Sequence, residues 1–289
     1  MMFTLPKPND AFRWVQLPVG SAQGRPALVC EALVPYAAHF FTTRTWRLGD
    51  ASATEHAWLE VAETAGVELG RLGRLRQVHG AEAVLLRKAT PALEASTGRD
   101  AGEDVSEADI LLTDDPSRAV AVKAADCLPI LVVDRRTRVV AAAHAGWRGL
   151  ASRVPMVTVD SLRREFGSDK RDLMVAIGPA IGACCYEVGE DVRARFEGFR
   201  AAEVERWFAA TPSRWATNPP ASTLTSRRPG HWFFDGWRCV SDQLVSAGVP
   251  SAQIYVAELC TASHGAAFCS YRRDGVVAGR MVGVIRPRN

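Results

Sequence analysis

The residues best suited to chemistry lie in three short blocks, Gln77-Val78-His79-Gly80, Ala124-Ala125-Asp126-Cys127-Leu128-Pro129 and Ala143-His144-Ala145-Gly146-Trp147-Arg148-Gly149. Each block places an imidazole or a thiol at the edge of an apolar run. One cysteine and two histidines suit Zn(II), because thiolate and imidazole are both good donors to a borderline-soft ion and three protein ligands leave a fourth position for water or substrate. The same residues allow a metal-free reading, with Cys127 as nucleophile and His144 as its base. Asp126 stands at the mouth of an otherwise uncharged run, where a carboxylate needs a metal, a basic side chain or a histidine as partner. It is a candidate proton shuttle, or a group that orients a ligand imidazole. Gly146 and Gly149 flank Trp147-Arg148 before an expected helix, so backbone N–H groups and the Arg148 guanidinium could hold an anion. A plain strand-to-helix turn with Trp147 in the core is the competing account.

Whether these groups meet depends on the elements that carry them. Leu128 to Val133 and Val139 to His144 are apolar on both parities and flank the polar turn Arg135 to Arg138, which predicts an antiparallel hairpin buried on both faces. Cys127 opens the first strand and His144 closes the second, so both belong at one end of the hairpin. Ile110 to Leu112, Ala119 to Val122 and Leu173 to Ile177 read as further buried strands. Met281 to Ile285 reads as a closing strand, and Leu75 to Val78 and Ala83 to Leu86 as short strands around Gly80. Apolar spacing predicts helices over Ala53 to Leu69, Leu150 to Phe166 despite Pro155, Gly189 to Phe199 and Asp235 to Ala247. Pro91 to Glu107 reads as a surface loop and Thr211 to Gly230 as a mobile excursion. Alternating strands and helices imply an α/β or α+β sheet core. With no internal repeat and no Pro-rich or Gly/Ser-rich linker, residues 1–289 read as a single catalytic domain.

Composition removes several classes. The chain is 47% hydrophobic and 23% charged, as folded globular proteins are. Its 35 basic and 32 acidic residues leave a net charge of +3, with no overall field to draw nucleic acid or an anionic membrane, so phosphate binding has to be local. The N-terminus lacks the basic segment and long apolar core of a secretory signal, and no stretch is long and apolar enough to span a bilayer. Cys30, Cys127, Cys184, Cys185, Cys239, Cys260 and Cys269 form an odd set without a regular framework, which points to thiols in a reducing cytoplasm. Adjacent Cys184 and Cys185 are a poor disulfide pair on geometric grounds.

Taken together, Gln77-Val78-His79-Gly80, Ala125-Asp126-Cys127, His144 to Gly149, Ile177-Gly178-Pro179-Ala180-Ile181-Gly182 with Cys184-Cys185-Tyr186-Glu187-Val188, and Ser270-Tyr271-Arg272-Arg273-Asp274-Gly275 form a specific set. The set resembles the family long labelled multicopper polyphenol oxidase (laccase), also called peptidoglycan editing factor, whose members have been assigned as purine nucleoside phosphorylases. The resemblance runs from His39-Phe40-Phe41-Thr42-Thr43-Arg44 to the C-terminus. It implies a four-layer α/β/β/α fold with mixed sheets, like the catalytic domain of cytotoxic necrotizing factor. It implies zinc on His79, Cys127 and His144, and phosphate-dependent cleavage of adenosine, inosine, guanosine and 5'-methylthioadenosine, with adenosine deamination as a second reaction. Two segments depart from the family pattern. Asp235-Gly236-Trp237-Arg238-Cys239-Val240 stands where Asp-Leu-Trp-x-Ala-Asn is common, and Arg44 is followed by Thr45-Trp46 rather than glycines.

These expectations assign roles. Deamination at purine C6 requires an acidified water and a proton shuttle, for which Asp126, Cys127 and His144 are the catalytic candidates. Phosphorolysis requires an anion held under the ribose C1', and the planar forks of Arg44 and Arg148 are the phosphate candidates. A Cys127/His144 hydrolase or deamidase, a copper-dependent phenol oxidase and a non-catalytic binding protein are the rival classes. Six scattered histidines fit poorly with several coppers. Cys184, Cys185 and Tyr186 line a pocket or pack in the core, Arg272 and Arg273 contact phosphate or solvent, and His264 lies in a loop.

Overall fold

The computed structural model describes residues 5–19, 22–48, 55–88, 106–213, 217–219 and 228–289. In chain order the strands are β1 (Phe12–Val19), β2 (Ala22–Cys30), β3 (Ala37–Thr42), β4 (Leu72–Gly73), β5 (Ala83–Leu86), β6 (Ile110–Thr113), β7 (Ala119–Ala124) and β8 (Leu128–Asp134). They continue with β9 (Val140–Ala145), β10 (Leu173–Ile177), β11 (Glu187–Gly189), β12 (Phe208–Ala209), β13 (His231–Phe234), β14 (Ile254–Val256) and β15 (Met281–Pro287). The helices are α1 (Glu55–Ala65), α2 (Trp147–Ala151), α3 (Val154–Phe166), α4 (Glu190–Arg193), α5 (Ala201–Trp207), α6 (Gly236–Ala247) and α7 (Tyr271–Asp274).

Two mixed sheets carry the fold, in the orders β1-β2-β3-β15-β7-β4 and β14-β10-β8-β9-β6-β5, with a small antiparallel sheet β11-β13-β12 beside them. Most neighbours are antiparallel, and β4 with β7, β10 with β14 and β5 with β6 run parallel. Side chains of successive residues leave a strand on opposite faces, and the central strands use both. Along β8, Leu131 and Val133 enter the core between the large sheets, where Phe41, Val120 and Ile285 of the first sheet meet them. Ile130 and Val132 enter a second core with Leu162 of α3 and Val240 of α6. Ala119, Ala121, Val282 and Val284 turn the other way, onto Val61 and Ala62 of α1. The layers therefore run α1, first sheet, second sheet, then α3 and α6, which is the four-layer mixed α/β arrangement expected.

Four expectations change. Leu75 to Val78 is not a strand: the strand lies earlier, at β4, and within the stretch only Arg76 makes a bridge, to Glu107. The Gln77 side chain instead takes the backbone N–H and C=O of Lys123, both at 2.8 Å, and occupies the place of a strand neighbour. Leu150 to Phe166 is two helices rather than one. Arg153 is left-handed (φ 62°) between α2 and α3, and Pro155 sits in the first turn of α3, where its missing N–H costs nothing. Gly189 to Phe199 shortens to α4 plus a 3-10 turn at Ala194–Phe196, which drives Phe196 among Phe199, Trp207, Phe208 and Phe234. Within Thr211 to Gly230, Asn218 is buried, with its amide donating to Glu258 O and its carbonyl accepting from Cys260 N, so this part is pinned to the core. Most of the loop expected over Pro91 to Glu107, residues 91–105, and the start of the first helix lie outside the described residues.

Candidate metal centre

The β8–β9 register pairs Leu128 with Ala145 and Pro129 with His144. Cys127, one residue before β8, therefore lies beside Gly146, one residue after β9. His79 arrives on the loop between β4 and β5, with a left-handed backbone (φ 61°). One donor atom from each of His79, Cys127 and His144 lies within 4.8 Å of the other two. The imidazoles meet edge to face, 4.9 Å between ring centroids and 81° between planes. His79 is exposed, Cys127 half-buried and His144 buried, so the group has a closed floor and an open side.

Gly146 makes this convergence possible. A Cβ there would stand 2.8 Å from Cys127 Sγ and 3.3 Å from His79 Cδ2, so any side chain would force the Cys127 sulfur aside and crowd the His79 ring. Its backbone is extended (φ −79°), so the requirement is space and not conformation. The expected helix after Gly146 is present as α2, five residues long, and no side chain caps its N-terminus.

Asp109 supplies the support beneath the donors. Its buried carboxylate accepts from His144 Nδ1 at 2.7 Å through Oδ1 and from the backbone N–H groups of Gly80 and Val78, at 2.6 and 3.2 Å, through Oδ2. One carboxylate thus orients His144 and the loop that presents His79, and with Nδ1 as the donor, His144 turns Nε2 to the site. Burial opposes its ionisation, but the bonds from His144, Gly80 and Val78 prevail and hold Asp109 below the usual carboxylate range. Burial likewise opposes charge on Cys127, yet the charge and hydrogen bond of His144 and the bond from His79 bring the thiol down to about 6. His144 rises to about 9, because Cys127 and Asp109 outweigh its burial.

These residues fit a bound metal. Two imidazole nitrogens and a readily ionised thiol form a borderline-soft donor set with an open side, and a histidine whose second nitrogen bonds a carboxylate is the usual supporting arrangement for zinc. Sequence reasoning missed Asp109, although the signal that singled out Asp126 also marks it: a lone acid opening a doubly buried strand, Asp109-Ile110-Leu111-Leu112.

Asp126 is buried and left-handed (φ 90°), and its oxygens turn to other partners. Thr261 Oγ1 donates to Oδ1 at 2.5 Å and Arg272 N to Oδ2 at 2.6 Å, while Ile181 N donates to its backbone carbonyl at 2.9 Å. Burial pushes its carboxyl above the usual range against these bonds. Arg148 is exposed and lies over the ring of Trp147 at 4.4 Å. Burial drives the Tyr186 hydroxyl up, and the charge of Cys127 adds to the effect. Arg44 is tied to the 265–267 segment, its side chain donating to Gly265 O and its backbone N–H to Ala267 O. Arg272 lies 5.0 Å over Tyr186 and donates to Glu187 O at 2.7 Å. Arg273 is taken up by the carbonyls of Thr261, Ala262 and Phe268 and by Asp274, which makes it a loop brace. Gly236, one of the departures, starts α6 where a Cβ would meet Leu128 Cδ1 at 3.3 Å, next to the strand that follows Cys127.

Fold and site together define a four-layer mixed α/β protein with a His/Cys/His candidate metal centre at the open end of a buried hairpin. The chain belongs to the family described as multi-copper polyphenol oxidoreductase laccase, which matches residues 45–288. It is 36% identical over 232 residues to a purine nucleoside phosphorylase, YlmD, of Geobacillus stearothermophilus, covering 79% of this chain and 76% of that protein. The crystal structure of that protein superposes with a TM-score of 0.75 at 30% identity over 94% of this chain and all (100%) of the other. An adenosine deaminase, RL5, from an unknown prokaryotic organism is 31% identical over 233 residues, 80% of each chain. The Bacillus licheniformis hypothetical protein YfiH superposes with a TM-score of 0.80 at 26% identity, over 96% of this chain and 100% of that one.

Proposed function

We propose that this protein is a zinc-dependent purine nucleoside phosphorylase, acting on adenosine, inosine, guanosine and 5'-methylthioadenosine, with adenosine deamination as a second reaction. The observation that carries the reading is the meeting of His79, Cys127 and His144 over Asp109, in a family with relatives named for both activities. When bound, the metal supplies Lewis-acid activation of an oxygen nucleophile. The chain does the rest. Asp109 keeps the proton on His144 Nδ1, so that Nε2 stays a donor to the metal, and Cys127 contributes a thiolate near neutral pH. Arg148, exposed in α2 just after the segment that carries His144, takes the phosphate, and Arg44, which donates to Gly265 O, serves the same anion. Asp126 acts as a positioning residue: its bonds to Thr261 and Arg272 N hold the start of α7 and the segment around Thr261 against Cys127's own segment.

The test is incubation of the purified, metal-analysed protein with adenosine, with and without phosphate. Phosphate-dependent release of adenine and ribose 1-phosphate supports the proposal, and inosine formation supports the second reaction. Absence of both products overturns it. Elemental analysis showing copper in place of zinc would correct the metal and return phenol oxidation to consideration.

A second reading is favoured by one observation. Cys127 Sγ and a ring nitrogen of His144 lie within 4.8 Å of each other, and against burial their mutual interaction pulls the thiol down and the imidazole up, the pairing that a cysteine nucleophile uses. Activity that survives stringent chelation and disappears on alkylation of Cys127 would establish this reading and end the metal one.

A further inference from the structure

Cys184, Cys185 and Cys260 form a second cluster of donors, separate from the first, with their Sγ atoms all within 4.8 Å of one another. The three thiols come from two segments locked by backbone bonds. Ala180 and Cys260 form a parallel bridge, with Ala180 N donating to Leu259 O and Thr261 N to Ala180 O. Immediately afterwards the chain turns, with Cys185 N and Tyr186 N both donating to Gly182 O, and this turn carries Cys184 and Cys185 back over Cys260. Gly182 N donates to Cys260 Sγ at 3.4 Å, and Cys260 N is fixed by Asn218 Oδ1 at 2.8 Å. Ser263 Oγ lies 3.6 Å from Cys184 Sγ and 3.5 Å from Cys185 Sγ. Cys184 and Cys260 are buried and Cys185 is half-buried, which leaves one approach from outside.

The chemistry of this set differs from that of His79, Cys127 and His144. The cluster contains no imidazole and no carboxylate. Metal–sulfur bonds of about 2.3 Å to three ligands around one ion put the sulfurs about 4 Å apart, which falls within the spacing present. Closed zinc sites take four nitrogen or sulfur ligands, whereas among the described residues this cluster supplies three sulfurs, with the Ser263 hydroxyl beside two of them. Soft thiolates select Cu(I), and also Zn(II), over hard oxygen-seeking ions, and it is the three-sulfur count that favours Cu(I) over a closed zinc site. The bonds from Cys185 and Cys260, then burial, push the Cys184 thiol up; Cys260 is pulled down by its bond with Cys184 but ends raised through Cys185 and burial, so an incoming cation exchanges for thiol protons.

We propose that Cys184, Cys185 and Cys260 form a second metal site, specific for a soft monovalent ion of the Cu(I) kind bound through three sulfurs. No electron transfer is involved: the ion enters as Cu(I), up to three S–H protons leave, and metal–sulfur bonds form. The site is independent of the proposed activity, since it shares no ligand with the first centre.

The test is an anaerobic titration of the reduced full-length protein with Cu(I) against a chromogenic Cu(I) chelator, in wild type and in Cys127→Ala, which removes the sulfur of the first centre. Cys127→Ala is expected to retain one Cu(I) with three sulfur neighbours and no nitrogen by X-ray absorption. In that background Cys260→Ser and Cys185→Ser should each weaken binding by more than the roughly 10- to 100-fold that loss of a supporting partner costs. Cys185 is the more exposed of the two, so Cys185→Ser guards against misfolding of the buried variant, and far-UV circular dichroism verifies both. No Cu(I) retained by Cys127→Ala overturns the proposal. So does a nitrogen neighbour, wild-type affinity in both serine variants, or a thiol count showing two of these three sulfurs joined as a disulfide in the anaerobic protein.

Discussion

Asp109 touches both halves of the candidate centre through one carboxylate, so its removal should loosen two metal donors at once. Asp109→Ala leaves His144 free to rotate and the Val78 and Gly80 N–H groups without their acceptor. Metal affinity should fall by about 10- to 100-fold, the cost of losing a partner that orients a ligand, and Asp109→Asn, which keeps an acceptor oxygen, should fall less. Competition with a chelator of known affinity measures both. Gly146→Ala makes a sharper prediction. A methyl group 2.8 Å from Cys127 Sγ forces that sulfur aside, so metal content by elemental analysis should drop well below one equivalent while the far-UV spectrum stays native. Retention of full metal by Gly146→Ala would show that Cys127 is not a ligand. Composition and spacing made His79, Cys127 and His144 legible because each is a rare donor at the end of an apolar run. Asp109 and the steric role of Gly146 were not legible in the same way: one acts through a bond across strands, and the other through a side chain it lacks.

Elements buried on both faces were legible for the same physical reason, since a run such as Leu128–Asp134 that is apolar at every parity has few other places to lie. The first three strands, β1 to β3, were not anticipated. Arg13, Gln16 and Arg25 interrupt the apolar residues of β1 and β2, His39 interrupts those of β3, and β1 forms an outer edge of its sheet with a half-solvated face. Within β3, His39 is buried at 7% exposure, accepting from Cys30 N at 3.0 Å and donating through Nδ1 to Ala37 O. Burial drives its pKa from 6.5 down to about 4, against the two backbone bonds. The unfolded chain therefore takes up a proton at His39 below about 6.5, while the folded chain resists it until about 4. Stability from this residue is full above that window and falls as pH drops through it. At about 1.4 kcal/mol per pKa unit the complete effect is about 3 kcal/mol. Urea denaturation at pH 7 and pH 4 should show it in the wild type, and the wild-type loss should exceed that of His39→Gln by this amount. Equal losses in the two proteins would mean that His39 is not held neutral.

At the scale of the molecule, the candidate centre belongs to the second sheet, yet its floor depends on the first. Phe41 of β3 crosses into the space that Gly178, just after β10, and Gly283 of β15 leave open: a Cβ on Gly178 would stand 2.3 Å from Phe41 Cδ1, and one on Gly283 3.1 Å. Phe41 belongs to the core that both sheets share, with Leu131 and Ala176 across from it. If residues 1–289 fold as one unit, Phe41→Ala should cost about 3 to 5 kcal/mol and should move the melting of both sheets together. Tryptophans lie on both sides of the molecule. Trp46 packs with α1 on the outer face of the first sheet, and Trp207 and Trp237, the latter from α6 itself, belong to the core beyond the second. Their fluorescence, read in single-tryptophan variants, should follow the same urea curve as the far-UV signal, and Phe41→Ala should shift every midpoint equally. Trp46 unfolding ahead of Trp207 in that variant would mean two units docked across Phe41, and the metal centre would then survive loss of the first sheet. Coincident curves would mean that packing on the first sheet sets how firmly Cys127 and His144 are held, because β8 and β9 lie directly against it through Leu131 and Ala142.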